Sequence, residues 1–265
     1  MPATDLPLLM DAARIAGRVA SSYTGPAAQR WDKPDGAGPV TEADLAVNDV
    51  LHATLRTARP DYGWLSEETE DDATRLSRDT VFIIDPIDGT RSFVEGAKTW
   101  AISIAVAHMG QVTAAAIFLP LRDKLYAAGR GAGAWLNATA LQVSTGHMSD
   151  ASTVLAARPN FAAQNWKDDA VPPVQRHYRP SLAYRLSLVG EGRFDGMLTL
   201  RPSWEWDIAA GALIVTEAGG TITDRTGAAL RFNNPHPTLN GVVAAGPALH
   251  SAITAQLGPD TAGSA

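Results

Sequence analysis

Cysteine is absent from the 265-residue chain, which removes disulfides, thiolate nucleophiles and Cys-ligated zinc together. Any metal must then sit on oxygen or imidazole. Long apolar runs are also missing: none approaches the ~20 residues of a membrane span, so the reading is a soluble protein with no membrane partner. The start, Met1-Pro2-Ala3-Thr4-Asp5, has no basic stretch followed by an apolar one. No secretory signal is therefore expected, and the cytoplasm is the expected compartment. Positive charge is in deficit, with 22 Lys and Arg against 28 Asp and Glu and a formal charge of −6. Nucleic-acid polymers are usually met by a basic face, so none is expected as a partner; a small phosphorylated metabolite stays compatible.

What is present describes a globular protein with a substantial core, at 45% hydrophobic and 19% charged residues. Leu6, Leu9, Ala13, Ala16 and Ala20 recur at helical spacing, as do Val47, Val50, Leu51, Thr54 and Ala58, which predicts two early amphipathic helices. Between them Gly25-Pro26 and the run from Asp32 to Pro39 form a breaker-rich loop, expected to be exposed and mobile. From Val81 onward, short β-type runs at 81–84, 100–107, 112–118, 125–128, 154–157, 197–200, 221–223 and 242–245 read as strands of one sheet. Helices are expected around Leu182 to Val189 and from Ile208 to Ala218. Helices and strands in blocks, without strict alternation, favour a layered α+β architecture. The division expected is a lobe at 1–145 carrying most candidate ligands and a lobe at 146–265 carrying Asp207 and substrate contacts. The small, polar tail from Gly258 is expected to fray.

Four segments carry the chemistry. In Ile83-Ile84-Asp85-Pro86-Ile87-Asp88-Gly89-Thr90 an apolar strand runs into two carboxylates three residues apart. Pro86 and Gly89 let the chain curl until Asp85, Asp88 and the Ile87 carbonyl converge as an oxygen nest for a hard cation; an Asx-type turn capping backbone N–H groups is the alternative. In Leu65-Ser66-Glu67-Glu68 a short strand through Trp64-Leu65 would deliver Glu67 to a cleft floor, while Glu70 to Asp72 read as surface charge. Asp207, in Trp204-Glu205-Trp206-Asp207-Ile208-Ala209-Ala210-Gly211, reads as an N-cap or first-turn acid, or as a ligand on a helix whose small residues allow close approach. Finally Thr41-Glu42-Ala43-Asp44 has capping-box form, with the alternative that Asp44 accepts from Thr90 and orients a water.

Taken in order, Pro-Val-Thr-Glu-Ala-Asp at 39–44, Leu-Ser-Glu-Glu at 65–68, Asp-Pro-Ile-Asp-Gly-Thr at 85–90 and Trp-Asp-Ile-Ala-Ala-Gly at 206–211 resemble the inositol monophosphatase superfamily. The resemblance implies a layered α-β-α-β-α sandwich, a homodimer, and a Mg²⁺-dependent phosphomonoesterase holding two or three ions. It also implies roles: Glu67, Asp85, Ile87, Asp88 and Asp207 as metal ligands, and Thr90, Asp44 and Glu67 as the catalytic set around the attacking water. Asp88, Gly89, Thr90, Lys33 and Arg201 are the implied substrate contacts. A phosphate ester hydrolysed by metal-activated water needs no protein nucleophile, which suits a chain without cysteine.

The alcohol is less constrained than the reaction. The spellings Ser66-Glu67-Glu68 and Glu205-Trp206-Asp207 resemble the 3′(2′),5′-bisphosphate nucleotidase branch, which implies removal of the 3′-phosphate of adenosine 3′,5′-bisphosphate. Leu200 stands seven residues before Asp207, where inositol monophosphatases place a glutamate for sugar hydroxyls, and an apolar side chain cannot accept those bonds. Arg201 is the candidate for a second phosphate and Trp204 for an adenine. Pro180-Ser181-Leu182 departs from the Gly-Ser-Ser-like turn of the nucleotidase branch. The alternatives are an inositol or broad sugar-phosphate phosphatase and, in another class, a non-catalytic metal- and phosphate-binding scaffold.

Overall fold

The computed structural model describes residues 5–23, 25–33 and 38–259. In chain order the elements are α1 (Asp5–Ser22), β1 (Arg30–Asp32), β2 (Pro39–Thr41), α2 (Glu42–Ala58), β3 (Gly63–Ser66), β4 (Thr80–Asp88), α3 (Thr90–Val94), β5 (Ala101–His108), β6 (Gln111–Leu119), β7 (Lys124–Gly129), β8 (Gly133–Leu136) and β9 (Thr139–Ala140). The chain continues through β10 (Thr153–Leu155), β11 (Gln175–His177), α4 (Leu182–Gly190), β12 (Gly196–Thr199), β13 (Ser203–Trp204), α5 (Glu205–Glu217), β14 (Thr221–Thr223), β15 (Thr238–Leu239), β16 (Val242–Ala245) and α6 (Pro247–Gln256). Of the loop expected to be mobile and the tail expected to fray, residues 34–37 and 260–265 lie outside the described residues, whereas the Lys33 N–H donates to the Gly38 carbonyl and the Gly258 N–H to the Asn165 carbonyl, both at 2.8 Å.

The order of layers follows from the period of two along the strands. Phe82 and Ile84 of β4, Ile102 and Ile104 of β5, and Ala114 and Ala116 of β6 share a core with Leu9, Ala13 and Ala16 of α1 and Val47 and Leu51 of α2. The alternate residues, Val81, Ile83, Ala105, Ala115 and Ile117, pack with Leu186 of α4 and Ile208 and Leu213 of α5. That second core also takes Leu155, Met197, Val242 and Ala244 from other strands, whose neighbours Val154, Leu198 and Val243 pack on Leu249 and Ile253 of α6. The result is helices, sheet, helices, sheet, helix.

The first sheet has seven strands in the order β3-β4-β5-β6-β7-β8-β9, parallel only between β3 and β4. The second has five, in the order β11-β10-β12-β16-β14. The single sheet expected from the sequence is thus two, because α4 and α5 lie between them. Helix α5 shows why: from Ile208 to Val215 every residue is buried, and a helix apolar on all sides needs an apolar surface on each. Each fully buried Ile or Leu there contributes about 1.5–3 kcal/mol. Close approach is built in, since a Cβ on Gly211 would meet the Leu186 side chain of α4 at 2.5 Å.

The candidate active site

The first sheet delivers the carboxylates through a fault in its own ladder. Asp85 pairs with Ser103 and Asp88 with Ala101, so three steps on β4 face two on β5. This extra residue is a β-bulge, placed where Pro86 has no N–H to give the ladder. Its effect is a change of phase. Ile87 turns to the core of Phe82 and Ile84, and Asp88 emerges toward α4, where its Oδ2 accepts from Ser181 Oγ at 2.7 Å and from the Ala183 N–H at 2.6 Å. An Asx turn is present as well, with Asp85 Oδ1 accepting the Ile87 N–H at 3.0 Å.

Glu67 follows directly from β3, and its N–H donates to the Ile84 carbonyl at 3.2 Å, so parallel pairing with β4 sets the Glu67 side chain beside Asp85. From the other side comes α5. Its N-cap is Trp204, which makes no side-chain capping bond, and Asp207 occupies the third helical position, so the N-cap reading of Asp207 is corrected to a first-turn acid. Carboxylate oxygens of Glu67, Asp85 and Asp207 lie within 4.8 Å of one another.

Like charges at that spacing resist ionisation. Burial, then Glu67, Asp88 and Asp207, hold the Asp85 carboxyl well above the usual range. Asp207 is raised likewise by burial, Asp88 and Glu67, against the pull of Arg201. Asp88 is pushed up to about 6 by burial, moderated by its bonds from Ser181 and Ala183. The three carboxylates that converge offer only oxygen, which fits a hard divalent cation and gives nothing to a soft one.

Around this cluster stand the other expected residues. Asp44 closes a complete capping box with Thr41 at the start of α2: its Oδ2 accepts the Thr41 hydroxyl at 2.6 Å and N–H at 2.8 Å. Its Oδ1 faces Thr90 Oγ1 at 3.3 Å, and the same hydroxyl lies 3.3 Å from the Ile87 carbonyl. Burial raises Asp44 to about 6. Gly89, at φ +99, precedes the first turn of α3, a backbone that favours glycine and leaves the N–H groups of that turn without helical partners.

Lys33, beyond β1, bridges Glu67 Oε1 at 2.7 Å and Glu68 Oε1 at 2.6 Å. Burial alone would lower Lys33; the two glutamates hold it above its usual value, while burial and Glu67 raise Glu68 to about 7. Arg201 lies exposed past the end of β12. Trp204, 41% exposed, stacks on Trp206 with centroids 4.7 Å apart. With His236, Glu67 and Ser66 it lines a cleft of about 320 Å³.

Three contributors were missed in the sequence. Ser181 caps α4 in a strained left-handed backbone, φ +64, and so holds Asp88; its signal is a hydroxyl directly before an apolar helical run. Arg185, one turn on, is buried; a lone cation inside Leu182-Ala183-Tyr184-Arg185-Leu186 is its trace. Glu205, wholly buried, accepts the Asn233 N–H at 2.6 Å, and the Asn234 N–H at 2.9 Å. It thereby fastens the loop opposite Glu67 to the start of α5.

Comparison with known proteins agrees with this architecture. The family model described as inositol monophosphatase family matches residues 3–260. The chain is 34% identical over 233 residues to Nus factor SuhB of Escherichia coli strain K12, covering 84% of this chain and 85% of that protein. It is 35% identical over 243 residues to an inositol-1-monophosphatase of Mesorhizobium japonicum, covering 84% and 86%. The crystal structure of extragenic suppressor protein suhB from Bartonella henselae superposes with a TM-score of 0.81 at 27% identity, over 95% of this chain and 97% of that one. With matching motifs, layers and nearly end-to-end coverage, the chain belongs to the inositol monophosphatase family.

Proposed function

We propose that the protein is a Mg²⁺-dependent phosphomonoesterase that holds two or three ions on Glu67, Asp85, Ile87 O, Asp88 and Asp207. The observation that carries this reading is the convergence of Glu67, Asp85 and Asp207 oxygens within 4.8 Å, next to the Asp44–Thr90 contact. When bound, the cations lower the pKa of the attacking water and neutralise charge on the phosphoryl and leaving oxygens. The chain's own residues do the rest. The first-turn N–H groups at Gly89 and Thr90 receive the phosphoryl oxygens, as helix starts do. Asp44, ionised at neutral pH, accepts the Thr90 hydroxyl, which leaves that oxygen's lone pairs free to align a water. Lys33, held against Glu67 and Glu68, adds positive charge at the rim.

For the substrate we favour a nucleotide carrying two phosphates, with the 3′-phosphate of adenosine 3′,5′-bisphosphate as the scissile group. Support comes from Leu200 in place of a hydroxyl-binding acid, Arg201 beyond it, and the exposed Trp204 face for a base. The second reading, inositol 1-phosphate, is favoured by the relatives named inositol-1-monophosphatase. No described helix is long and apolar enough to cross a membrane; a cytoplasmic homodimer is the proposed setting. Relatives bear the name Nus factor, so the proposal of no nucleic-acid partner rests on the acidic charge alone.

The test is phosphate release from both esters with and without Mg²⁺. Activity that needs Mg²⁺ and prefers the bisphosphate is expected. Asp85→Asn should lower release by about a hundredfold or more with an unchanged circular-dichroism spectrum; undiminished release in that variant overturns the assignment.

A further inference from the structure

Arg75 is among the largest side chains that the protein buries whole, 2% exposed, and it stands outside the acidic cluster. It belongs to a 3₁₀ turn, Ala73–Ser77, laid against β3: a Cβ on Gly63 would meet Arg75 Cα at 3.3 Å. Strand β3 is the edge of the first sheet, paired only with β4, and it leads directly into Glu67. The guanidinium uses all three of its nitrogens. Nε and Nη2 fork onto Asp71 Oδ1 and Oδ2 at 2.6 and 2.8 Å. Nη1 donates to Asn233 Oδ1 at 2.6 Å, and Nη2 also donates to the Asn234 carbonyl at 2.9 Å. Asn233 Nδ2 returns a bond to the Arg75 carbonyl at 3.3 Å.

The loop gripped in this way is held on its far side by Glu205. Besides the Asn233 and Asn234 N–H groups, that carboxylate accepts Asn234 Nδ2 at 2.7 Å, and the Glu205 N–H donates to the Pro237 carbonyl at 2.9 Å. Glu205 is the first residue of α5, two before Asp207. One continuous run of bonds thus leads from the edge strand that presents Glu67, through Arg75, Asn233, Asn234 and Glu205, to the helix that presents Asp207. Its two ends are carboxylates whose oxygens lie within 4.8 Å and which repel each other when ionised.

Filling this space with ions is no gain in stability by itself, since well-packed apolar residues of similar volume hold a fold as well or better. What the ions add is direction: hydrogen bonds fix distance and angle, and the planar fork of an arginine fixes several at once. We propose that Arg75 is a positioning residue that, with Glu205, braces β3 against α5 and sets the spacing of Glu67 and Asp207 before an ion arrives. The brace rests on the Mg²⁺-dependent reading of the site, and it acts on ion affinity, leaving the chemical step alone. With the brace loosened, the two carboxylates part, and an ion must draw them together at the expense of its own binding.

The test measures Mg²⁺ binding by calorimetry on the full chain without substrate, beside phosphate release at varied Mg²⁺. Arg75→Lys keeps the charge and loses the fork. It should raise the Mg²⁺ dissociation constant by about tenfold and the Mg²⁺ concentration for half-maximal release by the same factor, with kcat restored at saturating Mg²⁺. Asn233→Gly removes the amide link while suiting the left-handed backbone there, φ +63, and should weaken Mg²⁺ binding likewise, even where Arg75→Lys fails to fold. Because both changes break the same run of bonds, the double variant should bind Mg²⁺ no more weakly than the weaker single one. Lower melting temperatures with unchanged Mg²⁺ affinity, or losses that multiply in the double variant, overturn the positioning role. A wild type that binds no Mg²⁺ and releases phosphate no faster with it fails the metal-dependent reading instead.

Discussion

Asp44 uses its two carboxylate oxygens for different ends. Oδ2 satisfies Thr41 at the start of α2, and Oδ1 faces Thr90. The same division holds for Asp85, whose Oδ1 closes a turn with Ile87, and for Asp88, whose Oδ2 is held by Ser181 and Ala183. In the sequence, capping and ligation are rival explanations of these aspartates. The structure accommodates both because an ionised carboxylate has about four acceptor positions. The division predicts separable effects. Thr41→Ala should destabilise the protein by about 1 kcal/mol and spare Mg²⁺-dependent phosphate release at saturating substrate. Thr90→Ala should leave the melting temperature nearly in place and lower release by about a hundredfold. Matched losses of stability and activity in both variants would contradict it. Arg185 shows the limit of reading by residue type, since nothing in Tyr184-Arg185-Leu186 tells whether the side chain leaves the helix toward water or toward the site.

At the scale of elements, the helix that carries Asp207 is located by its contact with α4. A Cβ at position 211 falls 2.5 Å from Leu186 Cβ, too close to Leu186's own Cβ to be relieved by rotating a side chain. Gly211→Ala gains about 1 kcal/mol of helix propensity but incurs overpacking of about 1–3 kcal/mol, so the clash should win. We expect a melting temperature lower by several degrees and, because Asp207 lies one turn from the displaced contact, a higher Mg²⁺ concentration for half-maximal activity. An unchanged Mg²⁺ requirement would show that α5 yields elsewhere. The long elements were legible in advance: α1, α2, α5 and the strands β4 to β7 follow directly from the spacing of their apolar residues. Short ones were not. The hairpin of β1 with β2, α3 and α6 went unread, and the strands after residue 150 were assigned to the wrong sheet. Thr153–Leu155 and Thr221–Thr223 are three residues each, which is enough to suggest extension and too little to name a partner.

For the molecule as a whole, the acidic cluster lies where two layers meet: Asp85 and Asp88 belong to the first sheet, Glu67 follows its strand β3, and Asp207 belongs to the helix layer behind it. Without divalent ions these groups couple stability to pH in a definite sense. Burial and mutual repulsion hold Asp85 and Asp207 well above the ordinary aspartate value of 3.8, and burial raises Asp44 and Asp88 to about 6. The folded chain therefore keeps protons that the unfolded chain releases. The resulting stabilisation is complete below the ordinary value and lost as pH rises through about 6 and beyond. Asp195 works in the opposite sense: its burial is outweighed by bonds from Ser144 and Thr153, which hold it low. Comparison with Asp85→Asn isolates the cluster. In EDTA the wild type should melt higher near pH 5 than near pH 8, more so than the variant, and Mg²⁺ should restore the wild type chiefly near pH 8. A melting temperature that climbs with pH in EDTA, or an equal Mg²⁺ effect at both values, would count against the cluster.

The bulge between Asp85 and Asp88 acts as a reading frame for the pleat. Substitutions at Pro86 or Ile87 change one side chain, whereas removing Pro86 would advance the strand by half a period and exchange the faces of everything after it. Asp88 would then enter the core of Phe82 and Ile84, and Ile87 would leave that core for the face of the carboxylates. In this stretch of chain, length carries the information, and an insertion or deletion there is a frameshift written in three dimensions.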